Sequence, residues 1–232
     1  MNRWPRAVLF DFDGVLVNSE PLHFQAFREV LAAERIDLAE DEYYDELIGF
    51  DDKGAFRYLF QKRQVPLPPK TFLALMARKS EIMMDLIQRK RVSALPGVEQ
   101  FVRGLWRGRP LAICSGGLRE EIEAMLEGVC LRDCFTLITA AEDVPVGKPD
   151  PMGYLQTVER LAERTRTRLS PADCLVVEDA PTVIRSVKAV GFPTLGVATS
   201  YPPEKLTDAD WVVNTLEPEE VKRAIPALPP LD

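Results

Sequence analysis

The sequence predicts a doubly wound, Rossmann-like α/β fold: a parallel-sheet core carrying a small inserted all-helical domain. Three observations point there. Short apolar runs recur along the chain, and helical apolar patterns separate most of them. One long stretch after the first run shows helical patterns and no convincing strand.

The apolar runs are Ala7–Phe10, Leu111–Cys114, Phe135–Thr139, Cys174–Val177, Thr194–Val197 and Trp211–Val213. They are continuous rather than alternating, as expected of strands covered on both faces. Between them, Val98, Phe101, Val102 and Leu105 repeat at helical spacing, as do Ile122, Met125 and Leu126. A third such set is Val183, Ile184, Val187 and Val190.

The strandless stretch predicts a cap domain over 18–91, with the core made of 1–17 and 92–232. Ser19 reads as an N-cap, with Glu20 and Pro21 in the first turn and Phe27, Val30 and Leu31 on the buried face. Further helices are predicted over Asp41–Ile48, Asp52–Lys62 and Lys70–Arg89, and the proline-rich VPLPPK at 65–70 separates the last two. An insertion just past a strand's carboxyl end lies where open sheets bind ligands, which makes it a natural lid.

The chain has 232 residues, 46% of them apolar, enough for one large domain or a core with a small module. No apolar run reaches the roughly 18 residues of a spanning helix. The N-terminal MNRWPRAVLFDFDG has no signal-peptide core, so a cytoplasmic protein is expected. The net charge of −7 speaks against nucleic acid or an anionic membrane as partner. A monomer is favoured. Cys114, Cys130, Cys134 and Cys174 form no CxxC pair, and His23, the one histidine, is distant in sequence, so no zinc site is expected.

Four motifs carry chemistry. In AVLFDFDGVLVNSEP, Asp11 and Asp13 are two apart on an extended chain and point the same way, and Gly14 permits a turn. Carboxylates that close repel unless a cation or shared proton relieves them. In PLAICSGG, the hydroxyl of Ser115 and the amides of Gly116 and Gly117 precede a helix and could cradle phosphate, although such a triplet is also a routine turn. VPVGKPDP presents Lys148 in a stiff loop. CLVVEDAP ends a buried run in Glu178 and Asp179, where Asp179 could instead cap the next helix. Together they deliver acids, a hydroxyl and a lysine to one sheet edge, where sites form in open α/β folds.

On these motifs the chain resembles the haloacid dehalogenase (HAD) superfamily, in the branch of β-phosphoglucomutase-like and phosphoglycolate phosphatase-like enzymes with a helical cap after the first strand. Asn18 departs from the pattern, since relatives commonly carry Asp there. The resemblance implies a magnesium-dependent phosphatase of a small phosphorylated metabolite, a sugar or organic phosphate. Asp11 would be the nucleophile that forms an aspartyl-phosphate, Asp13 the acid/base, and Lys148 the group offsetting phosphate charge. Mg2+ would be held by Asp11, the Asp13 backbone carbonyl and Asp179, with help from Glu178. Ser115 and the amides after it would fix the transferring oxygens. A dehalogenase needs neither Asp13 nor a metal cluster, so Asp13, Glu178 and Asp179 argue for phosphate chemistry.

The expected substrate reader in the cap is the loop of Gly49, Phe50, Asp51, Asp52 and Lys53. β-Phosphoglucomutases carry a phosphate-gripping arginine at the place of Asp52, which argues for hydrolysis over bisphosphate cycling. Asp51 or Asp52 would equally serve as a helix cap. His23 matches a cap-hinge histidine of the mutases, placing it as a hinge or leaving-group contact. The competing readings are a phosphosugar mutase and a non-catalytic binding or regulatory protein on the same fold.

Overall fold

In the computed structural model, which describes residues 4–47, 50–89 and 92–229, every residue of β1 (Ala7–Phe10) is buried. The reason is its place in the middle of a six-stranded parallel sheet. The order is β3-β2-β1-β4-β5-β6, with β2 at Leu111–Cys114, β3 at Leu137–Thr139, β4 at Cys174–Glu178, β5 at Thr194–Val197 and β6 at Trp211–Val213. From β1 the chain builds outward through β2 and β3, then crosses back to β4 on the other flank. The strand order therefore reverses between β1 and β4, the switch point where open sheets place ligands.

The chain forms two compact units, Ser19–Arg91 and the combination of Met1–Asn18 with Val92–Asp232. Unit Ser19–Arg91 contains α1 (Glu20–Ala33), α2 (Glu40–Glu46), α3 (Asp52–Lys62) and α4 (Pro69–Arg89), and no strand among its described residues. Helix α1 packs on α4. Phe27 of α1 meets Phe56 of α3 with ring centroids 5.0 Å apart, and Leu59, Phe60, Met83 and Leu86 are buried with them. Each such side chain contributes about 1.5–3 kcal/mol on burial. Two sequence expectations change here. Ser19 holds the N-cap position of α1, but its buried side chain makes no capping bond. Helix α2 runs Glu40–Glu46 rather than Asp41–Ile48, because the Leu47 amide closes the last turn on the Tyr43 carbonyl; Ile48 lies outside the described residues.

In the other unit, α5 (Val98–Trp106), α6 (Arg119–Gly128), α7 (Met152–Thr165), α8 (Pro181–Ala189) and α9 (Pro218–Ala224) accompany the sheet. Helices α7 and α8 contribute Tyr154, Val158, Leu161, Val183 and Val187 to a cluster with Ala7, Leu9, Ala112 and Val176. Phe10 points the other way and meets Phe101 of α5 and Phe135 edge-on, at 6.0 and 5.8 Å. Strand β3 starts two residues later than its apolar run, since Arg132–Cys134 forms a 3-10 turn that Phe135 closes by donating to the Arg132 carbonyl. The two chain segments that flank the helical unit meet in this one: Val17 pairs antiparallel with Ala94, and the Leu95 amide donates to the Leu16 carbonyl at 3.0 Å. Among the described residues no helix is long and apolar enough to cross a membrane.

Candidate active site

Register assembles the site. Phe10 pairs with Ile113 on β2 and with Val177 on β4, so Asp11 comes level with Cys114 on one side and Glu178 on the other. The Asp11 amide donates to the Val177 carbonyl at 2.9 Å, which carries the ladder one residue past β1. Neighbouring strands are about 4.8 Å apart. Carboxylates on adjacent strand ends are therefore forced into proximity by the sheet itself. Asp11, Glu178 and Asp179 are all buried and offer oxygens within 4.8 Å of one another.

Lys148 reaches this group from the loop between β3 and α7. Its ammonium donates to Asp11 Oδ1 at 2.5 Å, to Glu178 Oε1 at 2.7 Å and to the Tyr154 hydroxyl at 3.1 Å. Burial pulls its pKa down, but Asp11 and Glu178 outweigh that and hold it well above its ordinary value. For Asp11 the balance goes the other way. Burial, helped by Glu178 and Asp13 and opposed by Lys148, pushes its pKa up to about 7. Burial, then Glu178 and Asp11, also raise Asp179 well above the usual carboxylate range. Buried carboxylates at this density suit a hard, all-oxygen cation site: a divalent ion would offset both the burial and the mutual repulsion that raise their pKa values. The half-buried Asp13 stands two residues beyond Asp11, where its backbone bridges to Val17.

The acidic pair at the end of β4 divides its labour. Glu178 Oε2 accepts the amides of Asp179 and Ala180, both at 2.8 Å, so Glu178 tends the start of α8. Asp179 is not the helix cap that its position allowed: Ala180 is the N-cap residue, and Asp179 Oδ2 instead accepts from the Ser200 hydroxyl at 2.5 Å. Gly14 is required here. Its φ is +76°, and a Cβ would sit 2.1 Å from Asp179 Oδ2. Thr199 donates from its hydroxyl to the Gly14 carbonyl. At the end of β2, the buried Ser115 accepts the Gly117 amide on its Oγ at 3.0 Å. The Arg119 amide at the start of α6 goes to Glu142 at 3.0 Å. The expected phosphate cradle is therefore partly spent on internal bonds, leaving the Ser115 hydroxyl proton and the open space around Gly116.

In the helical unit the expected substrate readers have other partners. Asp51 caps α3, its Oδ1 accepting the Gly54 amide at 2.7 Å. Asp52 pairs at 2.9 Å with Lys79, whose side chain is fully buried, and Lys79 donates to His23 Nδ1 at 2.8 Å. Burial and the Lys79 charge hold the His23 pKa well below its ordinary value, so the imidazole is neutral with its proton on Nε2. Phe50 is half exposed, lying 5.5 Å from the Tyr58 ring, and Lys53 is exposed. Gly49 lies outside the described residues.

The sequence reading missed Lys79, Tyr154, Thr199 and Ser200. A lysine within the buried series Leu75, Lys79, Ile82, Leu86 of α4 is a detectable signal, because an unpaired charge does not belong on an apolar stripe. Thr199 and Ser200 follow β5 at the same sheet edge as the other motifs. Nothing in the pattern Tyr154, Val158, Leu161 distinguishes a phenol from a plain aromatic ring.

An aspartate just past the central strand, a lysine and an acidic pair gather at one sheet edge, an arrangement that points to a hydrolase of a known kind. The chain belongs to the haloacid dehalogenase-like hydrolase family, whose sequence profile matches residues 8–197. Among individual proteins it is similar to the protein CbbY of Rhodobacter capsulatus, 29% identical over 232 residues that cover 97% of this chain and 99% of that one. It is 30% identical over 196 residues to the fructose-1-phosphate phosphatase YqaB of Escherichia coli (strain K12), covering 82% of this chain and 95% of that protein. The fold is shared with the crystal structure of CbbY from Rhodobacter sphaeroides in complex with phosphate, at a TM-score of 0.81 and 22% identity, over 96% of this chain and 98% of that one.

Proposed function

We propose that this protein hydrolyses the phosphate monoester of a small sugar or other organic metabolite through an aspartyl-phosphate on Asp11. The observation that carries this is the Lys148 ammonium held against Asp11 and Glu178 beside Asp179. A buried nucleophilic carboxylate next to fixed positive charge is matched to an incoming phosphoryl group. Asp11 attacks phosphorus, and Asp13 protonates the departing alkoxide. Asp13 then takes the proton of the water that opens the acyl phosphate. Lys148 favours ionised Asp11 and offsets charge on the transferring oxygens, while the Ser115 hydroxyl donates to one of them.

The donor set fits Mg2+, which Asp11, Asp179 and the Asp13 backbone carbonyl would hold with Glu178 in support. When bound, the cation would supply Lewis-acid neutralisation of the phosphoryl oxygens. The core of 1–17 and 92–232 is assigned the chemistry, and the insertion of 18–91 the choice of leaving group. Within that insertion Asp52 and Lys79 neutralise each other, which favours a monophosphate over the bisphosphate cycle of a mutase. The name of the similar fructose-1-phosphate phosphatase supports a sugar phosphate as substrate.

The test is phosphate release from sugar phosphates, phosphoglycolate, nucleotides and an aryl phosphate, with and without Mg2+, with Asp11→Asn as control. Mg2+-dependent release that disappears in Asp11→Asn is expected. Isomerisation sustained by a bisphosphate without phosphate release would overturn hydrolysis in favour of a mutase.

A further inference from the structure

Tyr154 occupies the first turn of α7 with its side chain fully buried, its ring 6.2 Å from that of Phe192 in the apolar cluster over the sheet. For packing alone a phenylalanine would serve. The hydroxyl, however, accepts from Lys148 Nζ at 3.1 Å and lies 3.3 Å from Glu178 Oε1, to which it donates. The ammonium also stands 5.0 Å from the ring centroid. An ammonium has three hydrogens. Asp11, Glu178 and Tyr154 use all three, so the phenol supplies the third tether that sets the direction of the other two. Glu178 cannot follow a drifting lysine, because its Oε2 is held by the Asp179 and Ala180 amides.

We propose that Tyr154 is a positioning residue whose hydroxyl fixes the Lys148 ammonium against Asp11 for phosphoryl transfer. Its catalytic consequence rests on the phosphatase reading above, whereas the tether itself does not. A hydroxyl that merely satisfies itself in the core would affect stability and leave turnover alone.

The experiment compares wild type with Tyr154→Phe, which keeps the ring and its packing. Two readouts are taken on the Mg2+-loaded full chain. The first is the 15Nζ–1H signal of Lys148, assigned by its loss in Lys148→Arg. In wild type the tethered ammonium gives a resolved signal, and in Tyr154→Phe that signal broadens or vanishes. The second is aryl phosphate hydrolysis, where kcat falls roughly tenfold while KM stays within about twofold. An unchanged Lys148 signal overturns the proposal whatever the activity. A lost signal with unchanged kcat overturns the positioning role. If wild type itself releases no phosphate from any substrate, the phosphatase reading fails, and the Lys148 signal alone decides whether Tyr154 tethers it.

Discussion

Replacing Gly14 by alanine tests whether the turn after β1 is built around Asp179. The residue sits at φ +76°, where an L side chain costs about 1–2 kcal/mol. The added Cβ would lie 2.1 Å from Asp179 Oδ2 and 2.8 Å from Ser200 Oγ, where ordinary contact begins at 3.4 Å. The carboxylate must then retreat by about 1.3 Å and lose its bond from Ser200. A shift near 1 Å at a reacting centre costs on the order of 100-fold in rate. The backbone strain lowers the melting temperature by about 2–8 °C for a chain of this size. Both are read together, as phosphate release at saturating Mg2+ and as a thermal melt. Gly128→Ala is the control: it lies in α6, where a Cβ meets nothing within 4 Å, and it should be neutral or slightly stabilising. A folded Gly14→Ala protein with kcat/KM within threefold of wild type would refute the reasoning.

Lys148→Met removes the charge beside Asp11, and kcat is expected to fall at least about 100-fold in steady-state hydrolysis; a smaller loss would place the charge compensation elsewhere. Stability should depend on pH through His23. Its folded pKa lies well below the unfolded value near 6.5, so the unfolded chain binds a proton that the folded one refuses. That stabilisation is complete above about pH 6.5 and is lost as pH falls toward the folded pKa, so melting temperatures of wild type should drop more steeply from pH 7.5 to 5 than those of His23→Gln; equal slopes would count against it. Divalent cation should raise the melting temperature in proportion to the logarithm of its concentration, and Asp179→Asn should blunt the rise in the same titration. An identical rise in the variant would remove Asp179 from the cation site.

How legible the chemistry was depended on whether a residue's role leaves a mark in one dimension. Asp11 and Glu178 stood out because continuous apolar runs end in them, and parallel register then brings such ends together. Asp52–Lys62 was readable as a helix for a similar reason: Phe56, Leu59 and Phe60 recur at its period, with Asp51 before them as cap. The partnership of Asp52 with Lys79 was not legible, since it joins two helices whose pairing only tertiary packing decides. The Ser115 loop was legible only in part. Its residue types are right for an anion, but whether the Gly117 amide meets a ligand or the neighbouring hydroxyl depends on a local turn that composition does not specify. For Tyr154 the hydroxyl acts inside the core, where burial makes phenol and benzene rings look alike.

The pairing of Val17 with Ala94, continued by the Leu95–Leu16 bond, stitches shut the neck from which the helical insertion departs. The sheet-bearing unit thus holds both ends of the insertion at adjacent points, whatever lies between them. Closing a longer loop on such a neck costs only about 0.6 kcal/mol per doubling of its length. The neck therefore acts as a grafting point. The length and content of the insertion can change there while the sheet edge that carries Asp11 keeps its register.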